Sequence, residues 1–79
     1  MAGEFILRNQ IKVWRAKNDL TQEQLADRVG VTRPTINFIE RGKWVPSTVL
    51  ALKIARVFDV AVEEVFTLEE KQPWPLRSL

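Results

Sequence analysis

Between Thr21 and Arg41 the chain spaces small, apolar and turn-forming residues in a way that few backbones accommodate. Leu25, Ala26 and Val29 recur at helical spacing, Gly30 interrupts the pattern, and Ile36 and Ile39 resume it. Ala26 is small enough for a second helix to cross over it closely. Gly30, four positions later, takes positive φ without steric cost and lets the chain turn there. Val31 follows with an apolar side chain for the inside of the turn. Two short helices crossing at a tight turn satisfy all of these positions at once, and residues 22–41 read as a helix-turn-helix. A plain helical hairpin with no ligand shares the same steric pattern.

Local signals frame both helices. Thr21-Gln22-Glu23-Gln24 is a capping box, in which the threonine oxygen takes the Gln24 amide and the Gln24 side chain reaches back. Thr32 is placed to cap the second helix, and Pro34 lies in its first turn, where a missing N–H costs nothing. Ahead of the motif, residues 9–17 read as a helix with Ile11 and Trp14 inward, Asn9 as its cap and Asn18-Asp19 as a left-handed stop. After the loop Gly42-Lys43-Trp44-Val45-Pro46, Ser47 caps a helix over 48–58 with Leu50, Ala51, Ile54, Ala55 and Phe58 inward. A short helix over 62–66 follows a poor cap, Ala61.

The ends are less determined. Phe5-Ile6-Leu7 and Phe66-Thr67-Leu68 are short, apolar and β-tolerant, and could pair. Residues 1–8 therefore read as a leader or a short strand, residues 9–68 as the helix-turn-helix domain, and residues 69–79, with Pro73-Trp74-Pro75, as a C-terminal tail.

Composition narrows the chemistry. A chain of 79 residues makes one small domain. It contains no Cys and no His, which removes disulfides, thiolates, imidazole bases and the usual zinc ligands. The adjacent pairs Glu63-Glu64 and Glu69-Glu70 do not face each other across a substrate. An enzyme is not expected, nor a cofactor, nor a bound metal. No apolar run approaches the roughly 18 residues of a membrane helix, and the early Glu4 argues against a secretory leader. A cytoplasmic location is the expectation. The net charge is +2, and the basic excess lies in the first half of the chain, a mild pointer to a polyanion. Trp14 and Trp44 read as core and loop packing, since single-strand stacking wants several exposed aromatics on one basic face.

The run from Thr21 to Lys43, Thr-Gln-Glu-Gln-Leu-Ala-Asp-Arg-Val-Gly-Val-Thr-Arg-Pro-Thr-Ile-Asn-Phe-Ile-Glu-Arg-Gly-Lys, resembles the DNA-reading unit of the Cro/cI-type (Xre-family) repressors. Pro46-Ser47 with Leu50-Ala51-Leu52-Lys53-Ile54-Ala55, and Val62-Glu63-Glu64-Val65-Phe66, resemble that family's fourth and fifth helices. The resemblance spans about residues 9–68 and is nearest to compact single-domain members. It implies an all-α fold, a five-helix lambda-repressor-like DNA-binding domain, to which a small two-stranded antiparallel sheet from the terminal segments can be added.

The resemblance also implies roles. The second helix of the motif would enter the major groove of double-stranded DNA, with Arg33, Pro34, Asn37 and Phe38 toward the bases. Arg33 can fork onto guanine O6 and N7, and Asn37 can pair with adenine. Pro34 departs from the polar reader common in the family, leaving an apolar contact to a thymine methyl or only a helix-start role. Phe38 faces either a thymine methyl or sugar, or else Trp44. Gln22, Thr32, Arg41 and Lys43 are the expected phosphate contacts. Arg15 and Glu40 occupy the places of a pair that orients the recognition helix. A homodimer is expected, because one motif reads only a half-site. Phe5, Leu7, Val62, Phe66 and Leu68 are its candidate interface. The competing reading is an antitoxin or protein-interaction module on the same fold. Repression at an inverted-repeat operator is the leading one.

Overall fold

The computed structural model describes residues 4–70. Five helices and one two-stranded sheet follow in the order β1 (Phe5–Asn9), α1 (Ile11–Lys17), α2 (Gln22–Val29), α3 (Arg33–Glu40), α4 (Thr48–Phe58), α5 (Val62–Val65) and β2 (Phe66–Glu70). The lambda-repressor-like arrangement of five helices is thus present, with the terminal sheet added to it.

α2, the first helix of the motif, begins and ends where short-range chemistry stops it. At the start of α2 both halves of the capping box are made: Thr21 Oγ1 accepts from the Gln24 amide at 3.0 Å, and Gln24 Oε1 accepts from the Thr21 amide at 2.9 Å. At its end Gly30 takes φ 77° and ψ 32°, and the Val31 amide returns to the Ala26 carbonyl at 3.0 Å. The turn brings α3 across Ala26, which is buried. Ser47 Oγ accepts from the Leu50 amide at 3.1 Å and starts α4. Asp59, at φ 57°, closes α4 in the left-handed region, a stop that the sequence reading did not identify.

The core is a single cluster. Ile11, Leu25, Ile36, Ile39, Ile54 and Val65 are its most enclosed large side chains. α4 is amphipathic, with Leu50, Ile54, Ala55 and Phe58 turned in. α5 is one turn long and has no side-chain cap. What holds it are buried Val65 and neighbouring Trp14, whose Nε1 donates to the Glu64 carbonyl at 2.9 Å. The Trp14 ring stacks on Phe58 at 6.3 Å between centroids, and Lys17 Nζ lies 4.6 Å over its outer face.

β1 and β2 pair antiparallel, with Phe5 opposite Glu70, Leu7 opposite Leu68 and Asn9 opposite Phe66. Four boundaries differ from the sequence reading. Asn9 ends β1, so α1 starts at Ile11, with Gln10 in the cap position. Asn9 still serves the helix: its Oδ1 accepts from the Ile11 amide at 3.2 Å, while its Nδ2 donates to the Ile39 carbonyl at 2.9 Å and ties the sheet to the end of α3. Phe66, read as the last residue of the fifth helix, opens β2 instead. Glu69 and Glu70, assigned to the tail, are strand residues, because pairing with β1 carries the ladder past Leu68. The remaining tail, 71–79, lies outside the described residues, as do residues 1–3 of the leader. Among the described residues no helix is long and apolar enough to cross a membrane.

Candidate nucleic-acid interface

α3 has two faces set by its sequence. Ile36 and Ile39 are buried against α2 and the core, and Arg33, Pro34 and Phe38 are exposed on the opposite side. Asn37 and Glu40 lie between, half-buried. Pro34 occupies the first turn, where no intrahelical N–H is lost. Thr32 stands at the cap position with extended backbone, but its hydroxyl makes no cap bond. It meets the Thr35 hydroxyl at 3.1 Å instead, so the expected side-chain cap of α3 is absent. Arg41 and Lys43 are exposed just beyond the helix, on a loop turned by Gly42 at φ 72° and closed by the Lys43 amide on the Phe38 carbonyl at 2.8 Å.

Phe38 is 48 % exposed and Trp44 51 % exposed. With Thr35 and Lys43 they line one shallow concavity beside α3. Neither ring is taken up by the core, so both remain available to a partner.

Behind the exposed face runs a chain of charge-assisted hydrogen bonds. Arg15 Nε donates to Glu40 Oε2 at 2.6 Å and Arg15 Nη2 to Glu40 Oε1 at 3.1 Å, a two-pronged contact. Arg15 Nη1 donates to the Leu20 carbonyl at 3.0 Å, anchoring the guanidinium to the α1–α2 connection. The side chains are 15 % and 7 % exposed, so the pair is screened far less than a surface one. Gln22 Nε2 donates to Glu40 Oε1 at 3.1 Å, and Asn37 Nδ2 donates to Gln22 Oε1 at 3.4 Å. Arg15, Glu40, Gln22 and Asn37 therefore form one series from α1 through α3 to the start of α2. The links of Gln22 to Glu40 and Asn37 were not found from sequence. Nothing in a span of 18 or 15 residues signals them; only the α2–α3 crossing brings them together.

The α2 N-terminus opens on a concavity of about 780 Å³ lined by Arg15, Thr21, Gln22, Glu23 and Arg33, among others. It places open backbone amides, two glutamines and two arginines beside the leading end of α3, together with Asp19 of the α1–α2 connection and Glu23 and Asp27 of α2.

The candidate dimer residues divide. Phe5 and Leu68 are exposed, Leu7 and Val62 half-buried. Phe66 is only 8 % exposed and belongs to the core of the monomer. Contrary to the sequence expectation it offers no surface to a second copy, because β2 enters the core at its first position and leaves it by its third.

A scaffold in which α2 crosses under α3, with Arg33, Pro34 and Phe38 of α3 left outside, defines a helix-turn-helix module. The helix-turn-helix family model matches residues 11–65, and the chain belongs to this Xre-like helix-turn-helix family. It is 52 % identical over 71 residues to an uncharacterized HTH-type transcriptional regulator of Archaeoglobus fulgidus, covering 90 % of this chain and all of that one. It is 48 % identical over 65 residues to the uncharacterized HTH-type transcriptional regulator YgzD of Bacillus subtilis, covering 82 % of this chain and 98 % of that one. Among solved structures it resembles the restriction-modification controller protein C.AhdI from Aeromonas hydrophila, with TM-score 0.65 and 33 % identity over 68 % of this chain and 82 % of that one.

Proposed function

We propose that the protein is a transcriptional repressor that binds an inverted-repeat operator in duplex DNA as a homodimer. The observation that carries this reading is the outer face of α3. Arg33, Pro34 and Phe38 stand free of the core, while Arg15 and Glu40 brace the helix from behind. Arg33 at the leading end takes a guanine through its fork of N–H groups. Phe38 and Pro34 offer apolar contact to thymine methyls. Arg41 and Lys43 neutralise phosphates beyond the helix, and Gln22 and Thr32 contact phosphates at the starts of α2 and α3. The relatives named as transcriptional regulators support the same reading.

The dimer follows from the size of the footprint. One recognition helix reads a half-site, and two related by a two-fold axis read an inverted repeat, with half-sites about one helical turn apart. Phe5, Leu7, Val62 and Leu68 supply the apolar surface for the second copy. No described part of the chain requires a cofactor for this role, and the lack of imidazole and thiol groups leaves hydrogen bonding and charge as its chemistry.

Selection of random duplexes on the purified protein tests the proposal. The expected result is an enriched palindrome whose affinity falls by orders of magnitude between about 50 and 200 mM salt, given about six or more phosphate contacts. Unenriched sequence or a flat salt response overturns it.

A further inference from the structure

The series from Arg15 to Asn37 carries a consequence for which base is read. Glu40 is bound twice by Arg15 and is an ionised carboxylate that can only accept hydrogen bonds. Gln22 must therefore turn its amide nitrogen toward Glu40, as it does at 3.1 Å. Its oxygen is then forced to the other end, where it can only accept. Asn37 must in turn present its own nitrogen there, as it does at 3.4 Å. The orientation of each amide is dictated by the one before it, starting from the carboxylate. Asn37 Oδ1 is left without a hydrogen-bond partner among the described residues and is not closed off from solvent.

We infer that Gln22 locks the polarity of the Asn37 amide, so that Asn37 reads a base carrying an exocyclic amine in the major groove, adenine first and cytosine second. The inference rests on the DNA-reading role proposed above. In the major groove adenine offers an N6 amine donor beside the N7 acceptor, and cytosine offers an N4 amine donor. Guanine and thymine present acceptors there instead, N7 and O6 or O4. An outward Oδ1 accepts from either amine and opposes the acceptors of guanine and thymine. The second N–H of Asn37 Nδ2, not used by Gln22, can serve adenine N7, which places adenine ahead of cytosine. A free asparagine could turn over and donate to guanine or thymine; this one cannot without leaving the Gln22 oxygen facing its own oxygen. Gln22 is thus a positioning residue for base choice as well as a phosphate contact. Asn37 follows Arg33 by one turn of α3, roughly 6 Å along the axis, so its base pair lies within about two steps of the guanine that Arg33 takes.

The test is operator selection on the full chain, with thermal melts confirming that each variant is folded. The wild-type protein is expected to enrich adenine, with cytosine next, at one position per half-site near the Arg33 guanine. Asn37→Ala should abolish that preference and lower affinity for the preferred operator by about 5- to 150-fold. For Gln22→Ala the readout is the ratio of affinities between adenine and guanine or thymine at that position. A lost phosphate contact weakens every operator alike and leaves this ratio unchanged. A freed amide brings it toward one. If the Asn37-dependent position prefers guanine or thymine, or if Gln22→Ala leaves the ratio untouched, the inference fails while the DNA-reading role stands. If the wild-type protein enriches no sequence, both fall.

Discussion

Arg15→Met isolates the brace behind the recognition helix. The substitution removes three donated hydrogen bonds, at 2.6 and 3.1 Å to Glu40 and 3.0 Å to the Leu20 carbonyl. It also leaves the Glu40 carboxylate, 7 % exposed, without its counter-charge. Removing one partner of a buried pair costs about 3–5 kcal/mol. Here Gln22 still donates to Glu40 at 3.1 Å, and the outer edge of Arg15 is in contact with water, which lowers the expected loss. A value of about 2–4 kcal/mol follows, counting charge-assisted bonds at roughly 1.5–3 kcal/mol each and some relief by water. For a domain of this size each kcal/mol moves the melting temperature by about 4–8 °C, so a fall of roughly 8–32 °C is expected. Urea and thermal unfolding followed by circular dichroism measure it. The double substitution Arg15→Met with Glu40→Met should recover much of the loss, since apolar replacement of a buried pair is often neutral. A loss for Arg15→Met below about 1 kcal/mol is the behaviour of an exposed pair. It would refute the claim that this contact orients α3.

Three further outcomes are expected. Arg33→Ala should cost about 1–3 kcal/mol of operator affinity and relax choice at one base pair per half-site. Lys43→Ala should instead weaken all sequences alike and lower the salt slope by about one unit; identical behaviour of the two across an operator panel removes the division of roles. Gly30→Ala should lose about 1–2 kcal/mol of stability in urea unfolding through backbone strain alone, because an added Cβ at φ 77° meets no atom within 4 Å. Leu68→Glu, at a side chain 68 % exposed, should leave the fold intact and shift sedimentation toward monomer, whereas Phe66→Glu buries a charge in the core and should abolish the cooperative unfolding transition. A dimer unchanged by Leu68→Glu at micromolar concentration moves the interface off the sheet.

The sequence by itself determined the parts whose causes lie within a few residues. Thr21 and Gln24 are three positions apart, and their reciprocal bonds depend only on the first turn of α2. Gly30 stops α2 because the backbone there needs positive φ, and Ser47 starts α4 for an equally local reason. The inward stripes of α2, α3 and α4 follow from helical period alone. At the ends, short-range preference did not decide. Phe66 could close a helix or open a strand, and it opens one because β1, some sixty residues earlier in the chain, supplies the partner hydrogen bonds. The same pairing draws Glu69 and Glu70 into the sheet and sets Asn9 apart from α1. Alternation along β2 suggested that Phe66 and Leu68 share one fate, and they share a face; but the core ends between them, so one is enclosed and the other exposed. The polarity of the Asn37 amide lies furthest from what sequence can reach. It depends on Arg15, Glu40 and Gln22, which three different helices carry. Only their packing turns four separate polar residues into one ordered series, because hydrogen bonds of about 3 Å require the backbones to be placed first.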